Sequence, residues 1–322
     1  MPEIRGKALA SQHTQCMDGK KRTDKRMTLH DAVAAYVHDG GSIVFSGMGG
    51  AQCVAHAYEI IRQKKKDLTL IGDSPCDAGD MLMGAGVLKR AELAWCGYAV
   101  AGLGPNYRRI VEKKIPHEME LIDYSNYTIG LRLMAGAMGL PFLPTRSLLG
   151  SDLMTYNKDI KQMDDPYTGE PVALVPAVHP DVALIHCSRA DIHGNAQIFG
   201  FTANAENAAR AAKRCIITCE EIVDTDVIRQ HAHTTCIPGY AVDAVVHLPF
   251  ACHPWNFPYD YAYDIPFHGE QTRAFKTREG FLAWLDEWCF GTKDHEEYLD
   301  KVGRERLAKL KDIEQKFCPK HW

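Results

Sequence analysis

No apolar run among the 322 residues approaches the ~18 residues a membrane-crossing helix needs. A signal-peptide core is missing too, because charge is scattered through the first 26 residues, and the chain reads as cytoplasmic. Excess positive charge is absent. The formal net charge is −4, and the cluster Lys20-Lys21-Arg22 with Lys25 and Arg26 falls in a polar leader, residues 1–26, expected to be a disordered, solvated tail. Neither a nucleic-acid nor a membrane surface is implied, since either would need clustered Lys and Arg on the folded body. Eleven cysteines are present, yet no pair has Cys-x-x-Cys spacing, which argues against zinc knuckles and thioredoxin-type sites. In a reducing compartment they are free thiols. No Gly-Lys-Ser/Thr follows a glycine loop, so there is no P-loop, and Gln52 breaks the Gly-x-Gly-x-x-Gly dinucleotide pattern.

The run from Asp39 to Gly50 (DGGSIVFSGMGG) is the most informative stretch present. Asp39-Gly40-Gly41 is turn chemistry, and Ile43-Val44-Phe45 is an apolar run short enough for a strand covered on both faces. Ser46, Gly47, Met48, Gly49 and Gly50 then offer main-chain N–H groups with few side chains in the way. A helix expected over 51–64 would aim the positive end of its dipole at the same place. Beyond the carboxyl end of a parallel strand, such a loop suits an anion or a developing oxyanion. Packing alone also produces glycine-rich strand-to-helix turns, and both readings stand at this point.

The rest of the chain alternates strands and helices. Thr28-Leu-His-Asp31 starts a first helix over 29–38. Strands are predicted at 67–72, 93–97, 182–186, 215–219 and 242–247, with helices at 81–86, 127–140 and 205–214. Residues 156–170 read as a polar loop excursion. This alternation predicts an α/β fold, an open and mostly parallel sheet with helices on both faces. Residues 27–280 would form that domain. Residues 281–322 would be a helical C-terminal extension packed on it, anchored by Trp284, Trp288, Tyr298 and Leu307.

Taken in order, these segments resemble the alpha subunits of family I coenzyme A transferases, of the glutaconate type. The resemblance rests on Asp39 to Met48; Asp80-Met-Leu-Met-Gly84; Leu140-Pro-Phe-Leu-Pro144; Asp181-Val-Ala-Leu-Ile-His186; Gly194-Asn195; Thr218-Cys-Glu-Glu-Ile-Val223; and Ile237-Pro-Gly-Tyr-Ala-Val-Asp-Ala-Val-Val246. It covers about 27–310. The family signature has Gly and Phe where Ser46 and Met48 stand here. The resemblance implies an enzyme active only as a heteromer, moving CoA between an acyl-CoA and a short or dicarboxylic acid, with coenzyme A as substrate and no resident cofactor or metal. The nucleophilic Glu would sit in a Glu-Asn-Gly context on a beta subunit; no Glu-Asn-Gly occurs here. This chain would supply the oxyanion and acyl site at Ser46 to Gly50, with Gln52, Asn126 and His193 as further pocket candidates. Related folds open a ring of a CoA thioester hydrolytically or decarboxylate a glutaconyl-type thioester. The hydrolase base aligns with Asn126, and an amide cannot take a proton; Glu118, Glu120 and Asp123 are nearby alternatives. A non-catalytic binding protein on this fold is the remaining option.

Other residues attract notice. His231, His233 and Cys236 have metal-like spacing in a polar loop. His247, Cys252 and His253 follow a strand and read as packing or polar lining. Glu220 or Glu221 could be a buried structural carboxylate, and His193-Gly194-Asn195 reads first as a turn. The aromatic run from Pro254 to Asp264 is expected to be a surface loop gripping the partner chain.

Overall fold

The computed structural model describes residues 23–45, 52–98 and 102–320. Seven strands run parallel in one sheet: β1 (Ser42–Phe45), β2 (Leu68–Gly72), β3 (Leu88–Leu93), β4 (Glu120–Asp123), β5 (Val182–Ala190), β6 (Arg214–Ile222) and β7 (Ala244–His247). Their order across the sheet is β7-β6-β5-β1-β2-β3-β4. The chain steps outward from β1 to β4, returns to the other side of β1 with β5, and steps outward again to β7. The reversal falls between β1 and β5, and in such sheets ligands lodge beyond the carboxyl ends of the strands at that point.

β5 is the longest buried element, with all nine residues buried, as expected of a central parallel strand covered on both faces. Its last pairing with β1 is Phe45 opposite Leu184, so it overruns β1 by several residues. The overrunning end pairs antiparallel with Ala196–Gln197, which in turn pairs with Thr235–Ile237. A separate antiparallel sheet is built from Phe142–Thr145, Lys161–Asp164 and Pro171–Pro176.

One helical layer contains α1 (Leu29–Tyr36), α2 (Val54–Arg62), α3 (Cys76–Ala85) and α4 (Pro105–Lys113), each packed on the next. The other contains α5 (Asn126–Met138) against α6 (Ala205–Ala211). Local chemistry sets the ends. Thr28 Oγ1 accepts from the Asp31 N–H at 3.0 Å, and Ser125 with Thr128 forms a reciprocal capping box at the start of α5. Gly86 and Gly139 close α3 and α5 in the left-handed region, at φ +77° and +69°.

Several expectations shift. The predicted strand at 93–97 is displaced: β3 ends at Leu93, and its charged residues disguise it while pairing among themselves, Arg90 Nε bonding Glu92 at 2.8 Å. The helix predicted at 81–86 begins at Cys76. The excursion at 156–170 contains the strand Lys161–Asp164, fully exposed and so without an apolar pattern. The aromatic run is not a surface loop: Trp255, Phe257 and Tyr261 are buried, and the Tyr261 hydroxyl accepts from the Cys252 N–H at 3.0 Å.

Helices continue to the C-terminal side as α7 (Ile265–Phe275), α8 (Arg278–Leu285), α9 (His295–Val302) and α10 (Arg304–Phe317). Trp284 donates from Nε1 to the Tyr58 hydroxyl of α2 at 3.0 Å, and Phe267 meets Trp284 and Trp288 edge-on at 5.4 and 4.9 Å. Tyr298 and Leu307 are buried.

Candidate functional site

Beyond the carboxyl ends of β1 and β2, side chains from the segment before α2, the loop after β2, the start of α5 and the residue preceding α6 are joined by hydrogen bonds. Ser46, Gly47, Met48, Gly49 and Gly50 lie outside the described residues. They are bracketed by Phe45 at the end of β1 and by Gln52, both buried. Gln52 Nε2 donates to the Ser74 carbonyl at 2.5 Å, and Ser74 Oγ donates to Asn126 Oδ1 at 3.4 Å. Two of the three pocket candidates, Gln52 and Asn126, are thus joined through Ser74. His193 is elsewhere, on the turn after β5. Its Nδ1 lies 3.2 Å from the Thr23 carbonyl, and the turn is fixed by Asp191, which accepts from the N–H groups of His193 and Asn195 at 3.0 and 2.9 Å.

Sequence reasoning missed Asp73, which follows β2. One carboxylate oxygen accepts from the Ser74 N–H at 2.7 Å and the other from Asn204 Nδ2 at 3.0 Å. Burial pushes its carboxyl above the ordinary range, while those two donors pull the other way. Asn204 also lies over Gly130 of α5, where an added methyl would sit 3.2 Å from its Oδ1. One signal could have pointed to Asp73: a carboxylate immediately after a buried apolar strand, at the carboxyl edge of a parallel sheet. Gln52, Asp73, Ser74, Asn126 and Asn204 are thus joined in one chain of hydrogen bonds.

Several conspicuous residues serve packing. Asp80, pushed up to about 6 by burial, accepts from the Tyr98 hydroxyl, Asn106 Nδ2 and the Tyr107 N–H at 2.8–2.9 Å. Gly84 lets Asn106 approach, since a methyl there would strike its amide. Glu220 is the buried carboxylate of its pair, taking His186 Nε2 at 2.9 Å and the Phe250 N–H at 2.7 Å, whereas Glu221 is exposed. The His231 and His233 rings are 6.4 Å apart, and the Cys236 thiol points to the Ala196 carbonyl at 3.7 Å. His247 Nε2 lies 3.2 Å from the Glu220 carbonyl, and His253 is held between the Tyr298 hydroxyl and Asp264. Among the described residues, no group of three His, Cys, Asp or Glu side chains is arranged to hold a metal. Of the alternative hydrolytic bases, Glu118 pairs with Lys114 at 3.1 Å, Glu120 pairs with Arg90 at 2.8 Å, and Asp123 is exposed.

Strand order and helical layers define a doubly wound α/β protein. Residues 26–248 match the family model described as Coenzyme A transferase. The A subunit of 3-oxoadipate CoA-transferase from Pseudomonas knackmussii is 38% identical over 86% of this chain and 97% of its own. The A subunit of glutaconate CoA-transferase from Acidaminococcus fermentans is 38% identical over 90% and 95%. The crystal structure of that enzyme superimposes with a TM-score of 0.85, at 36% identity and covering 89% of this chain. A variant of the decarboxylase AibA/AibB is more distant, with a TM-score of 0.71 at 30% identity, covering 83% of this chain and 100% of its own. The chain belongs to the coenzyme A transferase family.

Proposed function

We propose that this chain is the alpha-type subunit of a heteromeric, cytoplasmic CoA-transferase that moves CoA between an acyl-CoA and a short or dicarboxylic acid. The observation that carries this reading is its likeness to the A subunit of glutaconate CoA-transferase, at 38% identity over 90% of one chain and 95% of the other. The nucleophile belongs to the partner. This chain has no Glu-Asn-Gly, and its one Glu-Gly pair, Glu279-Gly280, lies in the first turn of α8, where the Gly280 N–H caps onto Thr277 Oγ1 at 3.0 Å. A partner carboxylate attacks the thioester carbonyl and displaces CoA thiolate to give a mixed anhydride. The thiolate then attacks the glutamyl carbonyl, releasing the donor acid and leaving a glutamyl thioester. The acceptor carboxylate reverses the two exchanges to carry CoA away. The part left to this chain is to receive the oxyanion on main-chain N–H groups of Ser46 to Gly50 and to shape the acyl pocket with Gln52 and Asn126.

A single oxyanion donor is worth about 3 kcal/mol. Gly47→Val in the assembled enzyme should therefore abolish turnover while the two chains still co-purify. Near-normal rates would remove this loop from the mechanism. Co-purification with a chain carrying Glu before Asn-Gly, and loss of activity to borohydride only in the presence of acyl-CoA, supports the transferase. A partner without that Glu, together with CO2 release or ring opening, overturns it. Asn126 favours transfer over hydrolysis: its Oδ1 already accepts from Ser74, and an amide cannot act as base at neutral pH.

A further inference from the structure

Helix α5 is apolar on the side it turns to water. Its sequence from Asn126 to Met138, NYTIGLRLMAGAM, holds one charged side chain, Arg132, and that one is buried against Glu92. The inward face is ordinary core, with Ile129, Leu131, Leu133 and Ala135 buried. Outward, Tyr127, Met134 and Met138 fall at i, i+7 and i+11, which stacks them in one stripe along the helix. They are 58%, 40% and 63% exposed among the described residues. Pro141 and Phe142 continue the exposed apolar run beyond the helix. A helix that faces water carries charge on that side, and one that is apolar all round belongs in an interior. The exposed Ile313 and Phe317 of α10, by contrast, sit among Lys309, Asp312 and Lys316, the scatter of an ordinary surface. Tyr and Met are also the residue types that binding faces favour over free surface.

The stripe starts at the candidate site. Asn126, next to Tyr127 in the chain, accepts from Ser74 Oγ at 3.4 Å, and the Ser74 carbonyl accepts from Gln52 Nε2 at 2.5 Å. Gln52 stands two positions past Gly50. A carboxylate delivered to Ser46 to Gly50 by another chain has to come down beside the first turn of α5. The chain that carries it is therefore already in place to lie along the stripe. A second copy of this chain has no Glu-Asn-Gly to deliver there.

We infer that the stripe of Tyr127, Met134 and Met138 is the docking face for the beta-type chain that supplies the nucleophilic Glu. The inference rests on the transferase reading. This chain is co-expressed with the chain carrying Glu before Asn-Gly, and sedimentation velocity over a dilution series gives the dissociation constant of the heteromer. Met138→Glu should raise that constant at least about 30-fold, because docking would then bury a charge with no partner. Phe317→Glu, at an exposed apolar site outside the stripe, should leave it within about twofold of wild type. A second reading needs no substitution, so a variant that fails to fold does not shelter the inference. Hydrogen peroxide, which adds one oxygen atom to a methionine sulfur, should oxidise Met138 at least about 10-fold more slowly in the wild-type heteromer than in the urea-unfolded chain. An unchanged dissociation constant for Met138→Glu, or a Met138 oxidised in the heteromer as fast as in the unfolded chain, overturns the assignment. So does a homodimer of this chain that Met138→Glu breaks while the heteromer holds, which gives the stripe to a second copy. A wild-type chain that assembles with no Glu-Asn-Gly chain sinks the transferase reading, and the inference with it.

Discussion

Replacing His56 by leucine should make the protein more stable, and increasingly so as the solution becomes acidic. His56 sits in the first turn of α2 and is fully buried, with Phe45 edge-on at 6.4 Å between ring centroids. Neither ring nitrogen has a hydrogen-bond partner among the described residues. A neutral imidazole carries one donor and one acceptor, and each left unmade costs about 1–3 kcal/mol. Allowing for imperfect packing of the isobutyl group, His56→Leu should gain about 1–3 kcal/mol at pH 7.5. Burial, reinforced by the His186 and His295 rings, lowers His56 to about 3.

The sign follows from proton binding. The unfolded imidazole, near 6.5, takes a proton that the folded one refuses, so the stability present above 6.5 drains away as pH falls toward 3. Between pH 7.5 and 5.0 the wild type should lose about 2 kcal/mol through this residue alone, a loss absent from the variant. Urea unfolding followed by tryptophan fluorescence at the two pH values measures both quantities. His253 and His295 are also lowered by burial and erode the wild type in acid, but they are common to both proteins and cancel in the difference. The reasoning fails if the gap between variant and wild type is the same at pH 7.5 and 5.0, or if the His56→Leu protein is the weaker of the two at pH 7.5.

Arg132 and Glu92 form a buried ion pair at 2.5 Å, with the guanidinium 4.2 Å over the Tyr124 ring. Arg132→Met should cost about 1.5–3 kcal/mol, because Glu92 would lose one of its two arginine partners while keeping Arg90 at 2.8 Å, and adding Glu92→Gln should recover part of that in a double-mutant cycle. Gly136→Ala should cost about 1–3 kcal/mol in thermal unfolding, since the new methyl would meet the Val178 carbonyl and the Ala211 methyl. Asp73→Ala should leave the Asn204 amide unpaired and raise KM for the acyl substrate about 10-fold in the assembled enzyme, with formation of the heteromer unchanged.

Where apolar pattern, capping and burial agreed, the sequence was easy to read. Thr28 and Asp31 marked the start of α1, Gly86 and Gly139 marked helix ends, and the apolar halves of β1, β5 and β6 stood out. The polar half of β5 was harder, because Ser188 and Arg189 interrupt the apolar run while remaining buried. Ser188 is satisfied by the Phe199 N–H at 2.9 Å, a contact between segments that periodicity does not register. The strand Lys161–Asp164 faces solvent throughout and has no alternation to detect. The run from Pro254 to Asp264 misled for a different reason. Its aromatic polar tips suggested an interface, but they find partners inside: Trp255 Nε1 bonds the buried Asp77. At the candidate site, Gln52 and Asn126 were reachable through family likeness. Asp73 and Asn204 depend on the end of a strand and the start of a helix meeting in space.

The clamp between α2 and the C-terminal helices sets an order of events during synthesis. Arg62 Nε reaches the carbonyls of Cys289 and Thr292 at 3.2 Å, and Trp284 ties to Tyr58, so α2 is fastened by residues more than two hundred positions downstream. Contacts that distant close late on a growing chain. The helix leading away from residues 46–51 therefore rests only on α1, α3 and the sheet until about residue 292 has emerged from the ribosome, and a nascent fragment halted before that point would lack the clamp on the far end of α2.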